Sequence, residues 1–485
     1  MFGITRAPEI DRPGLTWFNT SGPLSLRRVA GRIVILDFWT SCCINCIHVL
    51  PSLRRIEEAY PNEVAVIGIH SPKFEAERDP QALAKAIARY DIQHPVAHDP
   101  QMLLWQEYAV RAWPTLVFVS PDGYVMGQLA GEPHPDRLLD GIGDMVREFW
   151  ERGELKAMPL DFAPVEESGA MLRFPGKIKP VPGREKLWAV ADAGHHQVVL
   201  LDDEGQERAR FGSGRRGFGD GPADQACFDS PQGLVCSEEA IYVADTGNHA
   251  IRHIDRASGM VSTLAGTGMR GTVLKVPEAG EEVALASPWD LELDEGRHLY
   301  FANAGTHQLG ELDLETGILR ALAGSGAENI VDGPAMTAQL AQPSGLALSP
   351  DGHSLYFADS ETSSIRRLSL AERKVETLVG SGLFDFGHVN GPFPQARLQH
   401  ALGVAAVDGR LYVADSYNGV VRVLDLEAET VSDLDGPQCI DPVCFPAAEP
   451  AGIVADGPER LLLSDTNNHR ILEYRLDGNT YRSWA

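Results

Sequence analysis

Cys43 and Cys46, separated by two residues, carry the clearest chemical signal in this sequence. They follow the apolar run 32–38, which is typical of a buried strand, and they precede a predicted helix that is expected to break at Pro51. A spacing of three brings both sulfurs to one face of the first helical turn, with Cys43 at its N-terminus. Unpaired N–H groups there favour thiolate over thiol. The pattern predicts a redox-active dithiol.

Asp37 is an acidic residue inside that apolar strand. Burying a carboxyl costs several kcal/mol unless it is paired or protonated, so we interpret Asp37 as a proton-transfer group, with a solvated strand end as the alternative. Trp39 and Trp113 are interpreted as walls of the site, with core aromatics as the alternative. His48, one turn after Cys43, is interpreted as a solvated residue on the helix surface, with a residue that tunes the thiolate as the alternative.

Two other chemistries use cysteines in similar contexts. A zinc site needs a second pair of ligands, and none follows at a suitable spacing, so no metal is assigned. A thiol peroxidase is the nearest rival, because Thr40 lies three residues before Cys43, as in the Thr-x-x-Cys of peroxiredoxins. However, Leu36 stands where that family has a proline, and the second thiol of Cys46 favours disulfide exchange.

The elements that must position the dithiol alternate between strand and helix over residues 1–152. Apolar runs predict strands at 33–38, 63–70, 95–99 and 115–119, with a hairpin partner at 125–129, after an irregular lead-in. Helices are predicted at 44–60, 80–90, 102–108 and 135–152. This alternation predicts an α/β domain with a parallel sheet covered by helices.

This domain resembles the thioredoxin superfamily. Four landmarks coincide: Asp37 six residues before Cys43, Trp39 four before it, Pro51 five after Cys46, and Trp113-Pro114-Thr115 at the position of the family's cis-proline. The resemblance implies that Cys43 attacks a substrate disulfide, that Cys46 resolves the mixed disulfide and that Asp37 acts as a buried base through water. It also implies a substrate groove shaped by Pro114, with Trp39, Trp113 and Thr115 beside it.

Cys42 departs from the usual pattern, because thioredoxins carry an aromatic residue at its position. A disulfide between the adjacent Cys42 and Cys43 would form a strained ring, so Cys42, like Thr40, is treated as an accessory residue. The dipeptide between the two active cysteines is Ile44-Asn45 instead of Gly-Pro. Because that dipeptide affects redox poise, the motif fits a reductase, an oxidase and a sensor alike.

The composition indicates a globular protein of 485 residues, with 44% hydrophobic and 23% charged residues. No apolar run reaches the roughly 18 residues of a membrane span, and the first residues lack the apolar core of a secretion signal, so we expect no membrane association and a cytoplasmic location. A net charge of −26 argues against nucleic acid as a partner. In a reducing cytosol we expect free thiols at Cys439 and Cys444, with a loop disulfide as the alternative.

The sequence of residues 153–168 predicts a linker. Residues 169–485 contain a pattern that recurs six times: a strand, an Asp or Asn, a polar turn and a second strand. A period of about 50 to 58 residues suits one four-stranded sheet and its loops. Six copies predict a six-bladed β-propeller. Each Asp is expected to accept hydrogen bonds from backbone N–H groups two residues on. Either 170–174 or 481–484 is expected to complete the last blade.

The Gly-hydrophobic step before each strand pair, as in Gly233-Leu234, resembles the NHL repeat. The order of the two domains resembles the thioredoxin-like, NHL-repeat-containing family of the NHL repeat-containing protein 2 type. A histidine lies four residues after the turn Asp or Asn in four copies, and we interpret it as structural rather than as a metal ring: His196, His249, His307 and His469. The glycine clusters of the blades open no helix after a parallel strand, so no nucleotide and no other cofactor is expected.

These features predict a cytoplasmic thiol-disulfide oxidoreductase whose propeller recruits a protein substrate to the Cys-x-x-Cys dithiol. Propellers present a broad face of loops that more often binds protein than performs chemistry. The alternatives are a non-catalytic protein-binding scaffold or redox sensor, and a thiol peroxidase.

Overall fold

A computed structural model describes residues 5–156, 169–275, 277–295, 297–436, 438–441 and 446–485. The chain forms two compact units, Met1–Gly169 and Ala170–Ala485. Of the linker predicted over 153–168, only 153–156 lie within the described residues. This part packs on the first unit, because Leu155 contacts its core and the Lys156 N–H donates to the Gly31 carbonyl at 2.7 Å.

The first unit is an α/β fold built on a six-stranded mixed sheet. Its strands are β1 (Thr16–Phe18), β2 (Ile33–Trp39), β3 (Val64–His70), β4 (Val96–His98), β5 (Thr115–Val119) and β6 (Val125–Ala130). Its helices are α1 (Ile44–Ala59), α2 (Pro80–Arg89), α3 (Leu103–Glu107) and α4 (Pro135–Glu151), with a 3₁₀ turn at Ala76–Arg78. The strand order is β1-β4-β3-β2-β5-β6.

Only the centre of this sheet is parallel. Strands β2, β3 and β4 run parallel, whereas β5 runs antiparallel to β2, and β1 and β6 run antiparallel to their neighbours. The hairpin partner predicted at 125–129 is confirmed by β6, whereas the parallel sheet predicted from the alternation of strands and helices is found only at the centre. A short turn after β5 forces β6 to return antiparallel, and β1 forms from the lead-in that was expected to be irregular.

Strand β2 is central, and all seven of its residues are buried. Successive side chains of a strand face opposite sides of the sheet. One set packs in the core on the side away from α1: Val34, Leu36 and Phe38. The other set begins with Ile33 and Ile35, which pack against α1 and α4. Asp37 belongs to this second set, so its carboxyl lies on the side of the helix that carries the cysteines.

Helix α1 runs through Pro51 without ending, so the expected break at this residue is wrong. Pro51 is exposed, and its missing N–H costs one backbone hydrogen bond on the solvent side. Buried side chains before and after it, among them Val49, Leu53 and Ile56, hold both halves of the helix against the sheet. Packing therefore outweighs the local preference of proline.

The second unit contains six sheets whose four main strands are antiparallel, and the predicted six-bladed β-propeller is confirmed. Each blade uses four consecutive strands, in chain order Pro175–Val181, Leu187–Asp192, Gln197–Asp202 and Glu207–Phe211; Gly233–Cys236, Ala240–Asp245, Ala250–Asp255 and Val261–Ala265; Pro288–Leu293, His298–Asn303, Gln308–Asp313 and Ile318–Ala323; Pro343–Leu348, Ser354–Asp359, Ser364–Ser369 and Lys374–Val379; Gly403–Val407, Arg410–Asp415, Val420–Asp425 and Thr430–Asp433; Gly452–Ala455, Arg460–Asp465, Arg470–Arg475 and Thr480–Ser483. Two-residue strands extend blades 3 to 6 at the outer edge: Glu278–Ala279, Gly333–Pro334, Gly391–Pro392 and Gln438–Cys439.

The ring closes without exchange of a strand between its ends. The first strand of each blade contacts the first strand of the next, and that of blade 6 contacts that of blade 1. Of the two segments considered for the last blade, Thr480–Ser483 forms its outer strand, whereas 170–174 is irregular. A Cβ on Gly452 would lie 2.6 Å from the Gly176 carbonyl oxygen, so the two backbones meet at this seam.

A buried Asp ends the second strand of five blades, and Asn303 takes its place in blade 3. In blade 2, Asp245 Oδ1 accepts from the Asp229 N–H at 2.8 Å, and Oδ2 accepts from the buried Arg252 at 2.8 Å. Asp359 with Arg366 and Asp415 with Arg422 repeat this pair. The expected bond to an N–H two residues on is wrong, because the Asp ties its strand to the segment that enters the blade.

The four repeated histidines adopt left-handed backbone conformations, with φ between 52° and 59°. Their Nδ1 atoms accept hydrogen bonds at 3.0–3.1 Å from backbone N–H groups of the following blade: Ser230, Ser287, Gln342 and Phe174. The last of these bonds joins His469 of blade 6 to blade 1. These contacts agree with the structural interpretation of the histidines.

Cys439 is disulfide-bonded, so the expectation of a free thiol at this position is wrong. Cys444 lies outside the described residues. The expectation rested on the reducing character of a compartment, which places no constraint on local geometry. Within the described part of the chain, the free cysteines are Cys42, Cys43, Cys46, Cys227 and Cys236.

Candidate active site

The two cysteines of the motif lie where β2 meets α1. Cys43 is the N-cap of α1, with an extended backbone, and its Sγ accepts a hydrogen bond from the Cys46 N–H at 3.4 Å. Cys43 is partly exposed, whereas Cys46 is 1% exposed. A sulfur at the N-cap faces the unpaired N–H groups of the first turn, which stabilise a thiolate. Cys43 is therefore the accessible thiol, and Cys46 is the enclosed one.

The Cys46 thiol is difficult to ionise in this environment. Burial raises its pKa well above the usual range, and the hydrogen bond with Cys43, together with the negative charges of Cys43 and Asp37, raises it further. Since the thiolate is the nucleophile in disulfide exchange, Cys46 needs a group that removes its proton before it can attack.

Asp37 has the properties of such a group. Its side chain is fully buried, and neither carboxyl oxygen has a hydrogen-bond partner among the described residues. Burial raises the pKa of Asp37 to about 7, and the charge of His94 opposes that rise. At neutral pH the carboxyl is therefore divided between its protonated and ionised forms, as a proton acceptor for a thiol requires.

Glu77, in the 3₁₀ turn Ala76–Arg78, is a buried carboxylate that the sequence analysis missed. Five donors surround it: Thr40 Oγ1, Ser41 Oγ and the Cys42 N–H on Oε1 at 2.6–3.1 Å, and the N–H groups of Lys73 and Phe74 on Oε2 at 2.9 Å. These bonds fix the loop immediately before Cys43. Glu77 stands in a charged run that reads as solvated surface, so no signal in the sequence marks it.

Thr40 and Cys42, the predicted accessory residues, are both buried in this loop. Thr40 Oγ1 donates to Glu77, and Cys42 Sγ lies 3.8 Å from the same hydroxyl oxygen. The Thr40 hydroxyl is therefore engaged by a carboxylate and points away from solvent. This geometry removes the feature on which the peroxidase alternative depended.

Trp39 does not line a groove. Its side chain is 1% exposed and packs in a cluster with Cys46 and Leu50. Its ring meets the buried His70 edge-on at 4.9 Å. The prediction of a groove wall is wrong for Trp39, because this residue is the last of the fully buried strand β2 and supports the site from the core.

Residues 113–115 lie at the start of β5, beside the cluster that contains Trp39. The Trp113–Pro114 peptide bond is cis, as the family landmark predicts. Trp113 is partly exposed and packs against the cluster that contains both active cysteines. Pro114 and Thr115 are buried, and Thr115 Oγ1 donates to the Ala112 carbonyl at 2.7 Å. Within the predicted groove set, Trp113 is thus the side chain that substrate can reach.

His48 differs from its prediction as a solvated residue. Its side chain is 4% exposed, and Nδ1 lies 3.0 Å from Glu132 Oε1, just beyond β6. The helix surface at this point is covered by the segment after β6, which local sequence does not reveal. His48 therefore joins the first turns of α1 to that segment.

In the described ranges, no three side chains of His, Cys, Asp or Glu are grouped to hold a metal ion. The helices described there also lack the length and apolar character needed to cross a membrane. The arrangement of an N-cap thiol, an enclosed thiol and a buried carboxyl suits thiol-disulfide exchange.

Comparison with known proteins gives the same two-part organisation. Residues 31–125 match a family model described as thioredoxin-like. The chain is 37% identical to NHL repeat-containing protein 2 of Bos taurus, over 96% of this chain and 70% of that protein. It is 39% identical to Protein SUPPRESSOR OF QUENCHING 1, chloroplastic, of Arabidopsis thaliana, over 96% of this chain and 46% of that protein.

A third relative, an oxidoreductase, is similar to a shorter part of the chain. Thiol-disulfide oxidoreductase ResA of Bacillus cereus is 25% identical, over 24% of this chain and 64% of that protein. The two longer matches cover nearly all of this chain, and so include the dithiol as well as the blades. The chain therefore belongs to the NHL repeat-containing protein 2 family, with a thioredoxin-like domain followed by a six-bladed β-propeller.

Proposed function

We propose that this protein is a cytoplasmic thiol-disulfide oxidoreductase, and that its propeller recruits a protein substrate to the dithiol of the first unit. The observation that carries the proposal is the pairing of a partly exposed N-cap thiol, Cys43, with an enclosed thiol, Cys46, next to an unpartnered buried carboxyl, Asp37.

The proposed reaction has two steps. The Cys43 thiolate attacks one sulfur of the substrate disulfide, and the other substrate sulfur leaves as a thiolate. Cys46 then gives its proton to Asp37 and attacks Cys43 Sγ, which releases the second substrate sulfur. The protein is oxidised to a disulfide, and the substrate is reduced to two thiols. The reverse direction uses the same groups.

A chromogenic aromatic disulfide, DTNB, tests both steps with the full-length protein. In a Cys227→Ser background, which removes the partly exposed thiol of the second unit, the reduced protein should release two thionitrobenzoate ions, the first from attack by Cys43 and the second from resolution by Cys46. Cys46→Ser should release only the first and retain a mixed disulfide at Cys43, which intact mass spectrometry would detect. Cys42→Ser is the matched control, and it should release both ions.

The competing class is a scaffold or sensor without turnover. Wild-type protein that reacts no faster than a free-cysteine peptide at neutral pH would contradict the oxidoreductase and favour the scaffold. A rapid first release with no second release would favour a sensor that stops at the mixed disulfide.

Recruitment of substrate by the propeller needs its own measurement. A propeller that recruits protein should make reduction of a protein disulfide faster in the full chain than in a form with disrupted blades, while reduction of DTNB stays equal. The variant Gly345→Ala would disrupt blade 4, since its Cβ would lie 2.5 Å from the Leu402 carbonyl oxygen. Equal rates with protein disulfides would contradict recruitment.

A further inference from the structure

Several buried polar atoms without partners surround Gly68, which lies opposite Asp37 on β3. A Cβ on Gly68 would lie 3.0 Å from Trp39 Nε1 and 3.4 Å from His94 Nε2. Both nitrogens, like both Asp37 carboxyl oxygens, lack a hydrogen-bond partner among the described residues. Because buried polar atoms are nearly always satisfied, three such groups at one place need a functional or structural explanation.

The other side of His94 faces outwards. His94 Nδ1 lies 3.4 Å from Glu57 Oε2. The His94 side chain is 3% exposed, and the Glu57 side chain is 24% exposed. Both residues line a small surface cavity together with Leu50, Arg54, Tyr90 and 91–93. His94 therefore has one unpartnered nitrogen towards the region of Asp37 and one nitrogen towards a solvated carboxylate.

We propose that His94 and Glu57 form the exit through which Asp37 returns to solvent the proton that it takes from Cys46. The proposal rests on the proposed function, in which Cys46 must lose a proton in the resolving step. An imidazole can carry a proton because it accepts on one nitrogen and releases from the other.

The steps balance as follows. The Cys46 S–H bond breaks and its proton moves to the Asp37 carboxylate, while the sulfur attacks Cys43 Sγ and the substrate sulfur leaves with its electron pair. Asp37 then passes the proton to His94 Nε2. The imidazolium releases the proton on Nδ1 to Glu57, and from there it reaches solvent. The Asp37 carboxylate is regenerated for the next cycle.

The electrostatics agree with this route. The elements packed around Asp37 carry several titratable groups: Cys43 as the N-cap of α1, Cys46, His48, Arg54, Arg55, Glu57 and Glu58 within α1, His70 of β3, and His94. Among them, a charge on His94 lowers the pKa of Asp37, against the rise caused by burial. A positive charge on His94 therefore favours ionised Asp37.

Gly68 is the residue that leaves space between Asp37 and His94. An added Cβ would come 3.2 Å from Val96 Cγ2 in addition to the indole nitrogen of Trp39, so a side chain here would fill the space next to His94 Nε2. Absence of a side chain on this one residue leaves the side of Asp37 open towards His94.

The second release of thionitrobenzoate from DTNB tests the exit. In His94→Ala and His94→Gln the first release should be unchanged. At neutral pH Asp37 is divided between its two forms, and the fraction that starts protonated must lose that proton before Cys46 can react. The second release from this fraction should slow by about 100-fold, the size of a typical proton-transfer contribution. Added imidazole should restore the second release in His94→Ala in a saturable manner, because the truncated side chain leaves space beside the surface cavity. Glu57→Gln should slow the same step without loss of folding, since Glu57 is partly exposed.

Three results would overturn the exit. The first is an unchanged second release in folded His94→Gln. The second is a slowed release in His94→Ala that imidazole does not restore, which would leave His94 with a structural role alone. The third is a second release in Glu57→Gln as fast as in the wild type.

A titration without exchange chemistry separates this inference from the proposed function. If the wild type released no thionitrobenzoate at all, the oxidoreductase would fail, and the carboxyl infrared band of Asp37 would still report on His94. His94→Gln should raise the pKa of Asp37, because the opposing positive charge is removed. An unchanged pKa would contradict any link between the two groups.

Discussion

Asp37 links the stability of the first unit to pH. Its pKa is raised by burial to about 7 in the folded chain, from an ordinary value of 3.8. Between these values the folded state keeps a proton that the unfolded state has lost, so the free energy of unfolding falls as pH rises. Above about pH 7 the loss is complete and amounts to about 4 kcal/mol.

Asp37→Asn removes this dependence. The variant and the wild type should have similar stability near pH 4, where both side chains are neutral, and the variant should be more stable by about 4 kcal/mol near pH 8. Hydrogen exchange of the β2 amides in reduced protein, measured in urea at several pH values, gives the free energy of unfolding. Parallel pH curves for the two proteins would contradict a raised pKa at Asp37.

Glu77→Gln tests the carboxylate that fixes the loop before Cys43. A Gln side chain offers one acceptor oxygen and places an NH₂ group among five donors, so at least two donors lose their acceptor. We expect the free energy of unfolding to fall by about 2 to 3 kcal/mol. Glu75→Gln is the control, because the Glu75 side chain is 74% exposed and should change stability little. Equal losses in the two variants would argue against a special role for Glu77.

Single residues differ in how far their roles could be predicted from sequence. Cys43, Cys46 and Asp37 are recognisable because their local context carries the signal: a fixed spacing at a strand-to-helix turn, and an acid inside an apolar strand. Glu77 and His94 could not be predicted, since each acts through side chains that are distant in sequence. Trp39 was placed in the groove because an aromatic type does not reveal which side of a buried strand it occupies.

At the scale of elements, the hairpin turns of the propeller join one blade to the next. His307 is 8% exposed, and its Nδ1 is the acceptor for the buried Gln342 N–H at 3.1 Å.

The element bounds were predicted well wherever apolar runs were long, as in β2, α1 and the second strand of each blade. Short β1 was missed, because three residues carry too little periodicity for recognition.

His307→Ala should lower the stability of the propeller by about 1 to 3 kcal/mol, because it leaves a buried backbone N–H without its acceptor. Urea unfolding followed by the far-ultraviolet circular dichroism of the sheet measures this change. His388→Ala is the matched control, since His388 is 40% exposed and contacts Asp433 at the surface. A larger loss in the control would contradict the assigned role of the turn histidine.

The whole propeller depends on close approach between the first and last blades. Gly452→Ala would place a Cβ 2.6 Å from the Gly176 carbonyl oxygen and 2.9 Å from Lys177 Cα, where neither backbone can move without opening the ring. We expect a loss of about 3 kcal/mol or more, comparable with overpacking of a core. Gly436→Ala is the control, because no atom lies within 4 Å of its added Cβ. Thermal unfolding of both variants measures this loss. Equal midpoints would contradict a close approach of the backbones of blades 1 and 6.

The number of blades could be predicted from the sequence, but the closure of the ring could not. Six copies of one pattern are enough to count the blades, because each copy has its own strands and turn. How the ends meet could not be predicted, because the seam joins residues that are distant in sequence. It includes the bond from the Phe174 N–H to His469, the bond from Thr466 to the Pro175 carbonyl and an apolar cluster shared by both blades, which no local pattern encodes.

The seam has a consequence for the way in which the propeller tolerates changes of length. An open stack of repeats has two terminal units that each need a polar cap, whereas a closed ring of six has six interfaces and no terminus to protect. Since each blade here is made of consecutive strands, the chain could begin between any two blades and still form the same ring. Removal of one whole blade, by contrast, would leave two apolar faces that the remaining five could cover only by tightening every interface at once.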